Sequence, residues 1–320
     1  MFLVPERAAP RRHHPLATAA RGVVAAGVAA AVWGTLIERQ LFTLRHVTMP
    51  VLPAGQGPLR MLQLSDLHLA PWQSRKQRWV RSLAALAPDL VINSGDNAGH
   101  EQALFALRHA LEPFAGIPGV FVHGSNDYYG PMLKNPLRYL REPSQKSTRT
   151  PNLDNEALTH FFMDDLGWLN LNNSAARLTV ADSILECVGL NDPHIGYDRA
   201  DQMAAQLAEV RAEPAAGPVT TLGLVHAPYR SALNTLVDAG ATALIAGHTH
   251  GGQVCIPGYG ALTTNCDLPR DQAKGLSTWQ HNRRAAFLNV SAGLGHSIYA
   301  PVRFACRPEA TLITLVPAVL

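Results

Sequence analysis

At five places in this chain a short apolar run ends in residues able to bind a metal. Asp66 and His68 follow LRMLQLS, Asp96 follows DLVINSG, Asn126 and Asp127 follow GVFVHGS, His226 follows TTLGLV, and His248 and His250 follow TALIAG. Carboxylate, amide and imidazole donors suit divalent ions that activate water for attack on phosphorus, in two-metal sites whose ions stand about 3.5 to 4 Å apart. In an extended segment, residues two apart point the same way, so Asp66 with His68, and His248 with His250, can each present both side chains to one cavity. Gly95 and Gly247 let the backbone turn where strand becomes loop. Asp96, a lone carboxylate after a glycine, is suited to bridging two ions. The set contains no cysteine, which argues against a structural zinc cluster. The sequence also has no H-E-x-x-H and no G-x-S-x-G, the signals of a metalloprotease and a serine hydrolase.

These ligands must be carried by strands. From Leu59 onward, short apolar runs alternate with helical patterns at roughly Arg75 to Leu86, Gln102 to Leu111, Glu156 to Leu166, Arg199 to Val210 and Ser231 to Val237. That alternation is the rhythm of an α/β protein, and functional groups in such folds gather beyond the carboxyl ends of strands. Five strand ends are therefore expected to converge. Beyond Val254 the pattern turns to strand-like pieces, AAFLNVSAG, VRFAC and ATLITLV, expected to belong to a second sheet packed on the first. With 320 residues, 47% hydrophobic and 16% charged, the chain can bury a large core. Cys187, Cys255, Cys266 and Cys306 are spread without C-x-x-C pairing and read as buried free thiols. A net charge of +3 indicates no nucleic-acid partner.

The ordered set resembles the calcineurin-like metallophosphoesterase family, whose pattern is D-x-H, G-D, G-N-H-D or E, a lone H, and G-H-x-H. S-D-L-H at Ser65 to His68, G-H-T-H-G-G-Q at Gly247 to Gln253 and the ending from Gly293 to Leu315 resemble its membrane-associated bacterial branch. The resemblance implies a four-layer αββα sandwich, two mixed sheets between helices. It implies two divalent ions, with Asp66, His68 and His250 on one, Asp96 bridging, and His226, His248 and an amide on the other. The donor chemistry favours Mn, Fe or Zn. The implied reaction is in-line attack of a metal-bound hydroxide on a phosphate mono- or diester, with catalytic roles falling to Asp96, His68, Asn126 and Asp127. One stretch departs from the pattern. Gly124-Ser125-Asn126-Asp127 stands where the family reads G-N-H-D, so either Asn126 supplies the amide ligand or Ser125 ligates weakly, and the usual histidine acid is missing unless His123 or His100 replaces it. The alternative function is a catalytically weak, metal-binding scaffold. His194, in GLNDPH, lies either near the site or, the reading preferred, at the surface.

Residues 1–40 differ from the rest. Arg7, Arg11, Arg12 and Arg21 precede the uncharged run GVVAAGVAAAVWGTLI, from Gly22 to Ile37, which reads as a membrane anchor or export signal. Arginines before the run predict a cytoplasmic N-terminus, with the catalytic domain outside the cytoplasm, anchored or released after export. Residues 41–58 read as a linker with a short strand, and 59–320 as the catalytic domain. The stretch from Gly130 to Asn155 carries Lys134, Arg138, Arg141, Lys146 and Arg149, a charge suited to an anionic substrate or a lipid headgroup. A membrane-bound site suits a phospholipid or lipid-linked nucleotide substrate.

Overall fold

The computed structural model describes residues 15–131 and 150–318. The five basic residues between Lys134 and Arg149 lie outside them, as do Arg7, Arg11 and Arg12. Helix α1 (Pro15–Val32) continues through Trp33–Ile37 and Glu38–Gln40. There follow β1 (Thr43–Leu52), β2 (Leu59–Leu64), α2 (Ser74–Ser82), β3 (Leu90–Asn93), α3 (Ala103–Leu111), β4 (Gly119–Phe121), α4 (Asn155–His160) and β5 (Leu169–Asn170). The second half comprises β6 (Ser174–Val180), β7 (Ser183–Leu190), α5 (Ala200–Ala212), β8 (Val219–Val225), α6 (Arg230–Asp238) and β9 (Ala243–Ala246). A small hairpin, β10 (Cys255–Ile256) with β11 (Gly260–Ala261), precedes β12 (Gly275–His281), β13 (Arg284–Val290) and β14 (Glu309–Pro317). A helix is present at each of the five places its pattern predicted.

Two six-stranded sheets form, in the orders β1-β14-β2-β3-β4-β5 and β12-β13-β9-β8-β7-β6. Within the first, β14 runs parallel to β1 and antiparallel to β2, and β2 to β5 are parallel. Strands buried on both faces explain the continuous apolar runs of the sequence. In β2, Leu59 and Met61 join the core between the sheets, while Leu62 and Leu64 face the core that includes α3 residues. In β9, Ala243 and Ile245 face the first sheet, and Leu244 and Ala246 face the core containing Leu233 and Leu236 of α6. The result is helices, sheet, sheet, helices, the four-layer mixed α/β sandwich expected.

Three expectations about individual strands change. The stretch 41–58 holds a ten-residue strand, β1, built into the first sheet because Val47, Met49 and Leu52 bury between the sheets. The run ATLITLV becomes β14, inserted in the first sheet rather than the second. VRFAC makes one isolated bridge, Phe304 with Val254, and is otherwise occupied in holding α1 and the His250 loop.

A polar stitch crosses the dry space between the sheets. Gln63 of β2 is fully buried; its amide donates to the Ala246 carbonyl at 2.9 Å and accepts from Asn289 Nδ2 of β13 at 2.7 Å. Gln63→Leu keeps the volume but orphans a buried carbonyl and a buried amide, each worth about 1 to 3 kcal/mol. Urea unfolding in detergent is expected to show a loss of about 2 to 4 kcal/mol; an unchanged midpoint would mean the stitch is idle.

Candidate metal centre

Each ligand loop leaves the carboxyl end of a strand: Asp66 and His68 after β2, Asp96 after β3, Asn126 after β4, His226 after β8, and His248 and His250 after β9. The loops after β2 and β3 lie side by side, with Asp66 N–H on the Gly95 carbonyl at 2.9 Å and His68 N–H on that of Asp96 at 3.0 Å. Asp66, His68, Asp96, His248 and His250 all have positive φ, at 48°, 38°, 57°, 69° and 50°. Such backbone costs a non-glycine residue about 1 to 3 kcal/mol and persists only where its surroundings impose it. Here neighbouring chains press from behind: a Cβ on Gly124 would collide with the Asp96 carboxylate, and one on Gly247 with Ser65 and Asp66.

Asp66, His68, Asp96 and His250 offer donor atoms that all lie within 4.8 Å of one another. His68 Nε2 stands 3.5 Å from Asp96 Oδ2, His250 Nε2 is 3.5 Å from Asp66 Oδ1, and the two Nε2 atoms are 3.3 Å apart. The same Asp96 Oδ2 is met by His226 Nε2 at 3.4 Å and by the Asn126 amide, which donates at 2.7 Å, while the Asn126 backbone N–H donates to Oδ1, also at 2.7 Å. His248 donates its backbone N–H to Asp66 at 3.1 Å and sets its ring edge-on to His226 at 5.2 Å. Four of the seven expected ligands, Asp66, His68, Asp96 and His250, thus form one cluster, with His226 and Asn126 against Asp96 and His248 beside Asp66 and His226. Ser125 touches the group only through Asn126 Nδ2, at 3.4 Å.

The donor set suits metal ions on its own chemistry. A ligating imidazole presents one bare nitrogen while the other donates to an acceptor that fixes the ring. His226 Nδ1 lies 2.8 Å from the Ser94 carbonyl, and its buried Nε2 has no hydrogen-bond partner. His250 Nδ1 faces the Gly295 carbonyl at 3.2 Å, and His248 Nε2 faces that of Asn265 at 3.2 Å. Burial pushes the His68 imidazole down to about 4 and holds those of His248 and His250 well below the usual range, so their lone pairs are available at neutral pH. Burial pushes Asp66 up to about 6, with Asp96 adding its repulsion. Asp96 itself is disfavoured by burial, but the charge of His226 and the Asn126 backbone N–H outweigh that and hold it well below the ordinary carboxylate range. His226 is likewise raised well above its usual value, Asp96 overcoming the cost of burial. The carboxylates here call for positive charge.

Asp127 is no member of the reacting set. Its carboxylate, 1% exposed, accepts from the backbone N–H groups of Asp96, Asn97 and Gly124 at 2.7 to 3.0 Å, which makes it a positioning residue for both loops. His123 is buried too, with Nε2 2.8 Å from Thr159 Oγ1 and its ring among Phe121, Tyr128 and Phe162, remote from a role as proton donor to substrate. His100 is partly exposed, with Trp72 against its ring. His194, expected at the surface, is buried with its ring centroid 4.5 Å from that of His248 and Nδ1 3.0 Å from Tyr229 Oη. It follows β7, a sixth strand end of the same kind, together with Asp192, whose buried carboxyl is pushed up to about 7 by burial.

Two buried cations hold the loops from behind. Lys76 of α2 donates to the carbonyls of Leu67 at 2.6 Å and His68 at 3.2 Å, and burial pushes it down to about 7. Arg303, fully buried, donates to the carbonyls of His250 at 3.0 Å and Gly293 at 3.1 Å. Neither had a sequence signal, since SRKQRW does not show which cation turns inward.

This constellation at the strand ends of a four-layer sandwich is that of a metal-dependent phosphoesterase. The chain belongs to the calcineurin-like phosphoesterase family, which residues 59–252 match, and so to the hydrolases of phosphoric esters. It is 25% identical over 312 residues to YkuE of Bacillus subtilis, described as an uncharacterised metallophosphoesterase, covering 92% of this chain and 94% of that one. It is 24% identical over 329 residues to LpxG of Chlamydia trachomatis, a UDP-2,3-diacylglucosamine pyrophosphatase, covering 91% and 94%. A bovine transmembrane protein with a metallophosphoesterase domain is 26% identical over 231 residues, covering 70% of this chain and 48% of that protein.

Chelated protein is expected to lose stability as pH falls from 6.5 to about 4. Over that window the unfolded state binds protons that His68, His248, His250 and His296 refuse when folded, His296 being pushed down to about 3 by burial. Asp66 and Asp192 act in the opposite sense, holding protons in the fold up to about 6 and about 7 that unfolded carboxyls have released. His226, raised above its usual value, joins the two carboxyls, but four lowered imidazoles outweigh these three groups, so the melting temperature of the chelated chain should fall from pH 7 to pH 5. A rise would reverse the assignment of buried neutral imidazoles.

Proposed function

We propose that this chain hydrolyses phosphate esters at a two-metal centre, with Asp66, His68 and His250 on one ion, Asn126, His226 and His248 on the other, and Asp96 on both. The observation that carries this is the position of Asp96, whose Oδ2 is met by His68, expected on one ion, and by His226 and Asn126, expected on the other. Divalent ions, of which Mn, Fe and Zn fit the imidazole-rich donors, supply Lewis-acid charge and bring the pKa of water toward neutrality. The protein's part is to place donors and exclude alternatives. Carbonyls of Ser94, Gly295 and Asn265 select the tautomers of His226, His250 and His248. Asp127 fixes the Asp96 and Gly124 loops together. The amide of Asn126, against Asp96, supports Asn126 over Ser125 as the neutral ligand, with its oxygen turned to the ion. With Asn126 so engaged and His123 buried, the leaving group meets no imidazole acid from this loop.

Among the described residues, one helix, spanning Ala19–Gln40, is long and apolar enough to cross a membrane. We read it as an anchor. The arginines before it favour a cytoplasmic N-terminus with the metal centre outside. LpxG acts on a lipid-linked nucleotide, and an anchored site here supports a substrate of that kind, a phosphoester carried on a lipid. A metal-loaded scaffold with little turnover is the second reading, favoured by the Ser125-Asn126 departure.

Hydrolysis of bis-p-nitrophenyl phosphate with added Mn, abolished by chelation, is the expected result for the enzyme; bound metal without turnover would make it the scaffold. Asp96→Asn should lose bound metal and about 10²-fold or more in rate, since a neutral amide compensates two cations poorly. Full turnover with two ions retained would refute the bridge.

The missing acid gives a second test. Aryl diesters should be cleaved well and alkyl diesters slowly, and Ser125→Asn/Asn126→His should raise alkyl cleavage about 10²-fold, the lower end of general acid catalysis. No gain in the double variant, with alkyl cleavage abolished by His100→Ala, would place the acid at His100.

A further inference from the structure

The anchor helix meets the catalytic domain as a fixed joint. Gly34 lies inside the apolar run, and its carbonyl accepts the Arg303 N–H at 3.0 Å. A Cβ on Gly34 would stand 2.9 Å from the Arg303 carbonyl and 3.2 Å from Val302, so backbone packs on backbone. Four residues on, buried Glu38 accepts from the N–H groups of Ala305 at 3.0 Å and Cys306 at 2.7 Å, and from the indole of Trp33 at 2.7 Å.

This joint sets a depth. Gly34 comes less than one helical turn before Ile37, the last apolar residue of the run, and so lies only a few ångströms deeper. With α1 across a bilayer, Arg303 and the segment before it must therefore sit level with the headgroups. The composition of that segment agrees: residues 297–302 read SIYAPV, without charge, and Tyr299 is 50% exposed. The β10–β11 hairpin is tied to the same segment by Cys255 N–H on the Phe304 carbonyl at 2.8 Å, and it exposes Ile256 and Tyr259. An open cavity of ≈ 700 Å³ beside the hairpin and Ala305 is lined by Arg270 and Lys274, with Asp271 also on its wall. Aromatic side chains at an interface, with cations beside them, match the headgroup region of an anionic membrane.

We propose that the segment 297–302 and the β10–β11 hairpin form a face embedded in the bilayer interface. This rests on the reading of α1 as a membrane span. The face adjoins the metal centre through Arg303, which is bonded to Gly34 by its backbone and to the His250 carbonyl by its side chain. A phosphoester in the headgroup layer is thus met beside the plane in which it resides.

All four native cysteines are buried, so introduced cysteines can carry an environment-sensitive fluorophore in the full chain. Tyr299→Cys, Tyr259→Cys, Val28→Cys within α1, and Asp182→Cys, exposed in the turn at the far end of β7, would be labelled and reconstituted in phosphatidylcholine–phosphatidylglycerol vesicles. Quenching by spin-labelled lipids is expected to be strong at Val28, to be several-fold greater at Tyr299 and Tyr259 than at Asp182, and to be strongest at those two sites for quenchers near the headgroup. If both tyrosine positions behave as Asp182 does while Val28 is quenched, α1 spans but the face is in water, and the proposal is overturned. If Val28 is not quenched either, the anchor reading itself fails and the proposal falls with it.

Discussion

The charge of Asp96, 3% exposed, governs this architecture. An ionised carboxylate taken out of water costs several kcal/mol unless partners restore what hydration gave. No single strand end can supply those partners. His68 comes from the loop after β2, Asn126 from that after β4 and His226 from that after β8, so both sheets must be assembled before the charge is compensated. The Gln63–Asn289 stitch, the Asp127 bonds and the buried cations Lys76 and Arg303 are means of holding those loops at the required separation.

Local backbone preference is overruled at the same place. Five ligand residues occupy the left-handed region, which aspartate tolerates and a β-branched residue would not. Their glycine neighbours make the overruling feasible. At Gly95, with φ at 91°, a Cβ would meet the backbone of Gly124, so the loops after β3 and β4 approach to a distance no other residue allows. Rigid, strained, closely backed loops keep like charges converged when no ion is there to draw them together.

The part of this that could be read in the sequence is the part written locally. Apolar runs followed by Asp, Asn or His after β2, β3, β4, β8 and β9 announced both the strands and their ligands, because burial on two faces leaves an unmistakable run and a strand end is where polar groups resume. The same signal preceded Asp192 and His194 after β7, and D-P-H even repeats the two-residue spacing of Asp66 and His68, yet that pair has no counterpart in the family pattern and carried little weight. What a residue touches at long range left no trace. Arg303 gave no sign of its buried role, Asp127 took a catalytic role from the family pattern, and β1 was legible only as a short strand in a linker because its pairing partner lies at the other end of the chain. Of the helices, existence was legible from periodicity, but the burial of Lys76 within α2 was not.

That pairing partner decides when the molecule can become active. β14 lies between β1 and β2, which do not pair with each other, and its first residue, Glu309, accepts from Ala292 N–H at 3.1 Å and donates its own N–H to the Gly293 carbonyl at 2.9 Å. Gly293 packs against Asp66, so the wall behind the first ligand loop hangs on the last strand. During synthesis from the N-terminus, α1 emerges some 270 residues before β14. The N-terminal helix is therefore made while the first sheet still has a gap, and the wall behind the Asp66 loop closes only once the final strand fills it.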